Sequence, residues 1–169
     1  MRNKLLRALA IFGGALVLAA GAIYAIGASQ PATHTANVSI EIARPVEEVF
    51  PLVADPKRTK EWWPDMGDVQ ILSENPLRYR VSASGATSDM EHSLVEPNRR
   101  VLSKTLTPMM GIDGVWDTRF SVIPSGARID HQAQMTFHSP FLRFFTLVMD
   151  MNAEERKTLE ALKKYAESH

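Results

Sequence analysis

The stretch from Ala8 to Ala28 constrains this chain more than any other part of it: 21 consecutive residues without a charge and without a polar face at helical spacing. A core helix of a water-soluble protein normally keeps one polar side, so this run is not read as one. At about 1.5 Å per residue it makes a helix of roughly 30 Å, the thickness of a bilayer's hydrocarbon core. Arg2, Lys4 and Arg7 lie immediately before it and are the only charges ahead of Glu41. Positive residues stay on the cytoplasmic side. Residues 1–28 are therefore expected to act as a single-pass membrane anchor through residues 8–28, with the C-terminal part extracytoplasmic, or periplasmic in a bacterium. The competing reading is a signal peptide cleaved after Ala20-Gly21-Ala22, which would leave a secreted carrier. The apolar run continues past that site to Ala28, which favours the anchor. Residues 29–33, Ser-Gln-Pro-Ala-Thr, read as a short linker that keeps a domain over 34–169 close to the bilayer.

Charge and composition narrow the partners. The chain holds 19 basic and 19 acidic residues. Setting aside Arg2, Lys4 and Arg7 leaves 16 basic against 19 acidic, a net of −3 with no basic cluster. That argues against nucleic acid. With no cysteine in 169 residues, disulfides, thiolate metal sites and cysteine nucleophiles are excluded together. The 141 residues after the apolar segment suffice for one sizeable core.

The remaining sequence reads as strand, two helices, six strands and a long helix. Val38, Ile40 and Ile42 alternate with polar residues in a first strand over 34–42. Pro45 suits the first position of a helix, and Val46, Val49, Phe50 and Val53 follow at helical spacing. Asp55 is a candidate cap for a second short helix that carries Trp62-Trp63 and stops at Pro64. Strands are expected over 69–73, 77–84, 90–95, 99–107, 115–123 and 127–138, separated by Pro, Gly and Asn turns. From Ser139-Pro140 onwards, Phe141, Phe144, Phe145, Val148, Met151, Leu159 and Leu162 form one apolar stripe, with Glu154, Glu155, Arg156, Lys157, Lys163 and Lys164 on a solvated face. Strands joined by short turns are antiparallel, and a long amphipathic helix must cover one face of their sheet. The expected class is α+β, with a curved seven-stranded antiparallel sheet around a long C-terminal helix.

Several pieces, in this order, resemble the START/Bet v1-like (SRPBCC) superfamily, particularly its polyketide cyclase/dehydrase-like and coenzyme Q-binding branches. They are Arg44-Pro45-Val46-Glu47-Glu48-Val49-Phe50, Val53-Ala54-Asp55-Pro56, Glu61-Trp62-Trp63-Pro64, the hairpin Pro124-Ser125-Gly126-Ala127-Arg128 and the tail Leu159-Glu160-Ala161-Leu162-Lys163. The resemblance covers about residues 34–167. It implies a helix-grip fold with a hydrophobic cavity between sheet and helix. It implies no shared catalytic triad, so it carries over no catalytic residue.

Strand periodicity selects the candidate site residues. Ile129, His131, Ala133, Met135 and Phe137 share one face of the last strand. Trp116, Thr118, Phe120 and Val122 form the apolar set of the strand before it, and Met90, His92 and Leu94 share a face earlier on. Two histidines thus point toward one apolar interior, where they would orient a polar group of a ligand or act as acid and base. The structural alternative is that each is a satisfied core or rim residue. Trp62 and Trp63 would line a cavity mouth or touch lipid headgroups, or else plug the core beneath the short helices. Met109 and Met110 are flexible apolar residues of a loop that would cover the entrance. The expected ligand-binding set is Trp62, Trp63, Met90, His92, Trp116, Phe120, His131 and Met135, with His131 and His92 as the catalytic candidates. Asp117 and Arg119 are expected as an outward surface ion pair, and Glu91, Glu96 and Asp130 form no evident carboxylate pair. No metal site and no cofactor is expected: two histidines without a spaced carboxylate are a poor zinc signal. No nucleophile elbow, P-loop, dinucleotide or metalloprotease motif is present. Three functions follow: a membrane-anchored module binding a lipid, isoprenoid or polyketide-like molecule; a cyclase/dehydrase-type enzyme using a cavity histidine; or a non-catalytic partner in a membrane complex.

Overall fold

A computed structural model describes residues 2–63, 66–83 and 85–169. The element order is α1 (Arg2–Ser29), β1 (Thr33–Ile42), α2 (Val46–Ala54), a 3-10 turn (Pro56–Arg58), α3 (Thr59–Trp62), β2 (Val69–Glu74), β3 (Leu77–Ala83), β4 (Ala86–Glu96), β5 (Arg100–Thr105), β6 (Ile112–Ile123), β7 (Gly126–Phe137), α4 (Pro140–Phe145) and α5 (Met151–Ser168). The expected helix stop at Pro64 and strand end at Ser84 lie outside the described residues. Two compact units result. One holds the residues up to Ala32 together with Phe137–Met149, and the other holds Thr33–Thr136 and Asp150–His169.

The second unit is the α+β domain. Its seven-stranded antiparallel sheet runs in the order β1-β7-β6-β5-β4-β3-β2, so the first strand pairs with the last. The alternation read in residues 34–42 holds: Ala36, Val38, Ile40 and Ile42 are buried and their neighbours are exposed. Asp55 caps the 3-10 turn by accepting a hydrogen bond from the Lys57 N–H at 3.0 Å. Helix α5 lies along β1 and against α2 and α3, and Leu159, Leu162 and Ala166 are its buried residues. They join Ile42, Val46, Val49, Phe50, Val101, Phe120 and Ile129 in one core.

The expected single C-terminal helix is two. Asp150 adopts an extended conformation and caps α5, its carboxylate accepting from the Ala153 N–H at 3.1 Å. This cap ends any continuous helical path from Pro140. Phe141, Phe144, Phe145 and Val148 consequently leave the α5 stripe and belong to the first unit. Strand limits differ as well. β4 starts at Ala86 rather than Met90, because Thr87, Ser88 and Asp89 pair in register with Ser82, Val81 and Arg80 of β3. β6 starts at Ile112 rather than Val115.

In the first unit, α4 packs on the C-terminal end of α1. A Cβ on Gly27 would lie 1.8 Å from the Pro140 carbonyl oxygen, so only glycine allows this approach. Tyr24 and Phe141 make an edge-to-face contact at 5.6 Å. Among the described residues, Ala10–Ser29 alone is long and apolar enough to cross a membrane, with a mean hydropathy of 2.0; a signal sequence has the same properties.

Candidate functional site

Pairing register decides which side chains share the inner face of the sheet. His92 stands opposite Leu77 on β3 and Ser103 on β5, and Ser103 stands opposite Trp116 on β6. One step along, Tyr79, Met90 and Thr105 are paired. Met90, His92, Ser103 and Trp116 are therefore neighbours on one face. Leu94, expected with them, is not: a bulge between His92 and Leu94 shifts the register, and Leu94 pairs with Leu102, on the outward side with Asp117. Val95 takes the inward position instead, opposite Val101. Val122, also expected inward, is 77% exposed, because it lies near the β6–β7 turn beyond the reach of the core.

His92 is 7% exposed. Its Nδ1 is 2.9 Å from the Ser103 hydroxyl and its ring stands edge-on to Tyr79 at 5.0 Å. Burial lowers its pKa to about 4, against weaker opposing effects of the Val53 backbone and Asp55. The ring is therefore neutral at pH 7. Nε2 is buried and makes no hydrogen bond, and the Val53 backbone lies beside the ring. Burial likewise pushes the Tyr79 hydroxyl well above its ordinary pKa, leaving it a neutral donor.

The second histidine is held differently. His131 Nδ1 is 2.9 Å from the Thr118 hydroxyl, and its Nε2 is 3.2 Å from the Glu155 carboxylate on α5. The three side chains lie at the sheet–helix junction, with His131 and Glu155 side chains 10% and 13% exposed. A carboxylate only accepts, so the contact with Glu155 places a proton on Nε2, and Nδ1 shares a hydrogen bond with the Thr118 hydroxyl. Strands β5 and β6 separate His92 from His131, and they share no partner, so the two do not form an acid–base pair with each other.

The other expected residues divide between core and rim. Trp62 is buried and its Nε1 donates to the Leu52 carbonyl at 2.8 Å; Phe120 is buried edge-to-face against Phe50 at 5.3 Å. Trp63 stacks on Trp62 and is half-buried, as are Met90, Trp116 and Met135. The Trp116 ring lies over Gly114, where an added Cβ would come within 2.1 Å of it. Met110 is 71% exposed.

The expected outward pair of Asp117 and Arg119 is present, but Asp117 is more enclosed than a surface pair requires. It is 8% exposed, and accepts from Arg100 at 2.7 and 2.9 Å and from Arg119 at 2.6 Å. Arginine stems from adjacent strand positions cover it on the outward face. Arg100 first, with Arg119, holds its carboxyl below the ordinary range. Glu91 is treated alike by Lys104 and Arg78. A depression of about 260 Å³ on this face is lined by Asn37, Ser39, Arg119, Asp130 and Gln132 among others.

Tyr79, Ser103 and Glu155 were not singled out by sequence reasoning. Tyr79 and Ser103 needed the strand order. Glu155 had a signal: it falls four residues after Met151 and four before Leu159, inside the apolar stripe rather than on the solvated face.

The family model described as "Polyketide cyclase / dehydrase and lipid transport" matches residues 33–167. Solved structures share the fold. An uncharacterised protein from Rhizobium leguminosarum is 14% identical, with 81% of this chain and 96% of that one covered at a TM-score of 0.63. The di-domain ARO/CYC BexL of the BE-7585A biosynthetic pathway is 15% identical over 96% of this chain and 59% of its own, at 0.67. Norcoclaurine synthase from Thalictrum flavum, in complex with dopamine and hydroxybenzaldehyde, is 10% identical over 85% and 91%, at 0.61. No curated protein matches the chain significantly.

Proposed function

Because the chain belongs to the polyketide cyclase/dehydrase and lipid transport family, a hydrophobic ligand-binding fold, we propose that it is a membrane-anchored module that binds a lipid, isoprenoid or polyketide-like molecule on the inner face of its sheet. The observation that carries this reading is the strip Met90–His92–Ser103–Trp116. It joins half-buried apolar surface to a buried imidazole nitrogen without a hydrogen bond. An apolar site with a few placed polar groups is the usual design for such ligands. A buried, unbonded polar atom costs free energy that a ligand carbonyl or hydroxyl would recover. Helix α5 packs in one core with the β5 and β6 residues Val101 and Phe120, and the end of α2 at Val53 and Asp55 stands beside His92. The bilayer-length helix α1 would hold the domain beside a reservoir of apolar compounds. Native mass spectrometry of the full chain, taken from its host's membranes into nanodiscs, tests the reading. A retained hydrophobic mass is expected, diminished in Trp116→Ala and in His92→Leu. Absence of any such mass, even after incubation with a membrane extract, would overturn it.

A second reading is an acid–base enzyme, and the Thr118–His131–Glu155 chain favours it. In the neutral ring, the Glu155 contact puts the proton on Nε2 and leaves Nδ1 as a base, an arrangement of oriented histidine and hydroxyl that serves proton transfer. On this reading the retained compound changes on incubation, losing water in a dehydration or altering its ring closure. His131→Asn would abolish the change without releasing the compound. An unchanged compound would leave only the binding role.

A further inference from the structure

We infer that the segment Pro140–Met149 is a second membrane element, a short aromatic wedge seated in the same bilayer leaflet as the C-terminal end of α1. The inference rests on the anchor reading of α1. Its own observations are separate. Within the unit that holds α1, α4 packs at Gly27, two residues before the end of the apolar span Ala10–Ser29. A span of this length fills the hydrocarbon core, which sets Gly27 at its far boundary. What is fastened there is unusually apolar. Phe141, Phe145, Leu147, Val148 and Met149 are 45, 54, 53, 85 and 44% exposed. They occupy five of nine consecutive positions, and a water-facing helix–loop of this composition is costly.

Continuity identifies what covers this surface. Tyr24 on α1 and Phe141 on α4 meet edge to face, so the exposed apolar surface of α4 extends the lipid-facing side of α1. Aromatic rings gather at the membrane–water boundary, and interfacial helices bury their apolar face some 5–10 Å into it. Arg143, the one charge between Pro140 and Met149, turns back instead: its Nε donates to the Phe137 carbonyl at 2.8 Å. The charge is thereby withdrawn from the exposed apolar residues. The partner is a lipid bilayer surface.

The chain contains no cysteine, so single cysteines report cleanly. Val17→Cys, Phe145→Cys, Val148→Cys and the domain control Val122→Cys are each labelled with an environment-sensitive fluorophore. The full chain is reconstituted in phosphatidylcholine–phosphatidylglycerol vesicles. Positions 17, 145 and 148 are expected to show blue-shifted emission, quenching by nitroxide lipids and loss of iodide quenching, while position 122 is quenched by iodide. If position 17 is quenched by lipid but 145 and 148 by iodide, the wedge is wrong and the anchor stands. If position 17 is itself open to iodide, the anchor reading fails and the wedge with it. Protection of 148 from both quenchers, with disulfide-linked dimers in the unlabelled variant, would mean that a second copy of the chain covers this face, and would also overturn the inference.

Discussion

His92 couples the interior of the sheet to pH. Its folded pKa of about 4 lies below the ordinary 6.5, so above pH 6.5 the ring is neutral in both folded and unfolded chains and pH has no effect through it. Between 6.5 and about 4 the unfolded chain binds a proton that the folded chain refuses, and stability falls with falling pH. The full loss is on the order of 3 kcal/mol. Urea titrations from pH 7 to pH 4 should show this slope in the native chain and a clearly smaller one in His92→Gln; equal slopes would refute the assignment. The outward carboxylates act lower. Asp117 and Glu91 have depressed values, so their contribution is present above the ordinary carboxylate range and disappears as the pH drops through the folded values. Asp117→Ala leaves the Arg100 fork without its acceptor and should cost about 1–3 kcal/mol, whereas Arg119→Ala, which removes an exposed partner, should cost under about 1 kcal/mol.

At the scale of elements, α5 and the start of β6 are the informative parts. Leu162 is fully buried where α5 meets the sheet, so Leu162→Ala should destabilise the domain by about 2–5 kcal/mol in denaturant titrations. Gly114→Ala tests the rim. The new Cβ forces the Trp116 ring off its seat, and the tryptophan emission and any ligand retention should change with little loss of global stability. The elements themselves were largely legible. Alternation in β1 and turn residues between strands reflect local backbone chemistry, and the Asp55 cap acts over two residues. What was not legible was the division of the C-terminal pattern. The 3.6-residue period of Phe141–Val148 is genuine helix signal, but period does not say which body a stripe packs on. The cap that ends the register is the single residue Asp150. The His92–Leu94 bulge was hidden for a related reason, since a register shift is a property of two strands and leaves no mark in one.

For the whole molecule, the anchor reading makes the plainest prediction. The chain recovered from membranes should retain residues 1–22, read as their peptides in a digest; an N-terminus at residue 23 would make it a soluble carrier. A ligand that binds only the folded chain, supplied at about 100 times its Kd, should stabilise it by about 2.7 kcal/mol, and Trp116→Ala should abolish that gain. The sequence by itself determined the membrane-length helix, the order of strands and helices as far as β7, and the inward direction of His92 and His131. Each follows from hydrophobicity read at a fixed period along a single segment. Only the tertiary structure decided that Ser103 and Tyr79 surround His92 while Glu155 and Thr118 hold His131, because those contacts join residues 11–24 positions apart through strand order and helix docking. It also decided that Asp117 is covered by arginines, and that the aromatic half of the C-terminal stripe joins α1. Each of these outcomes depends on which surfaces meet, and that is set by packing between segments.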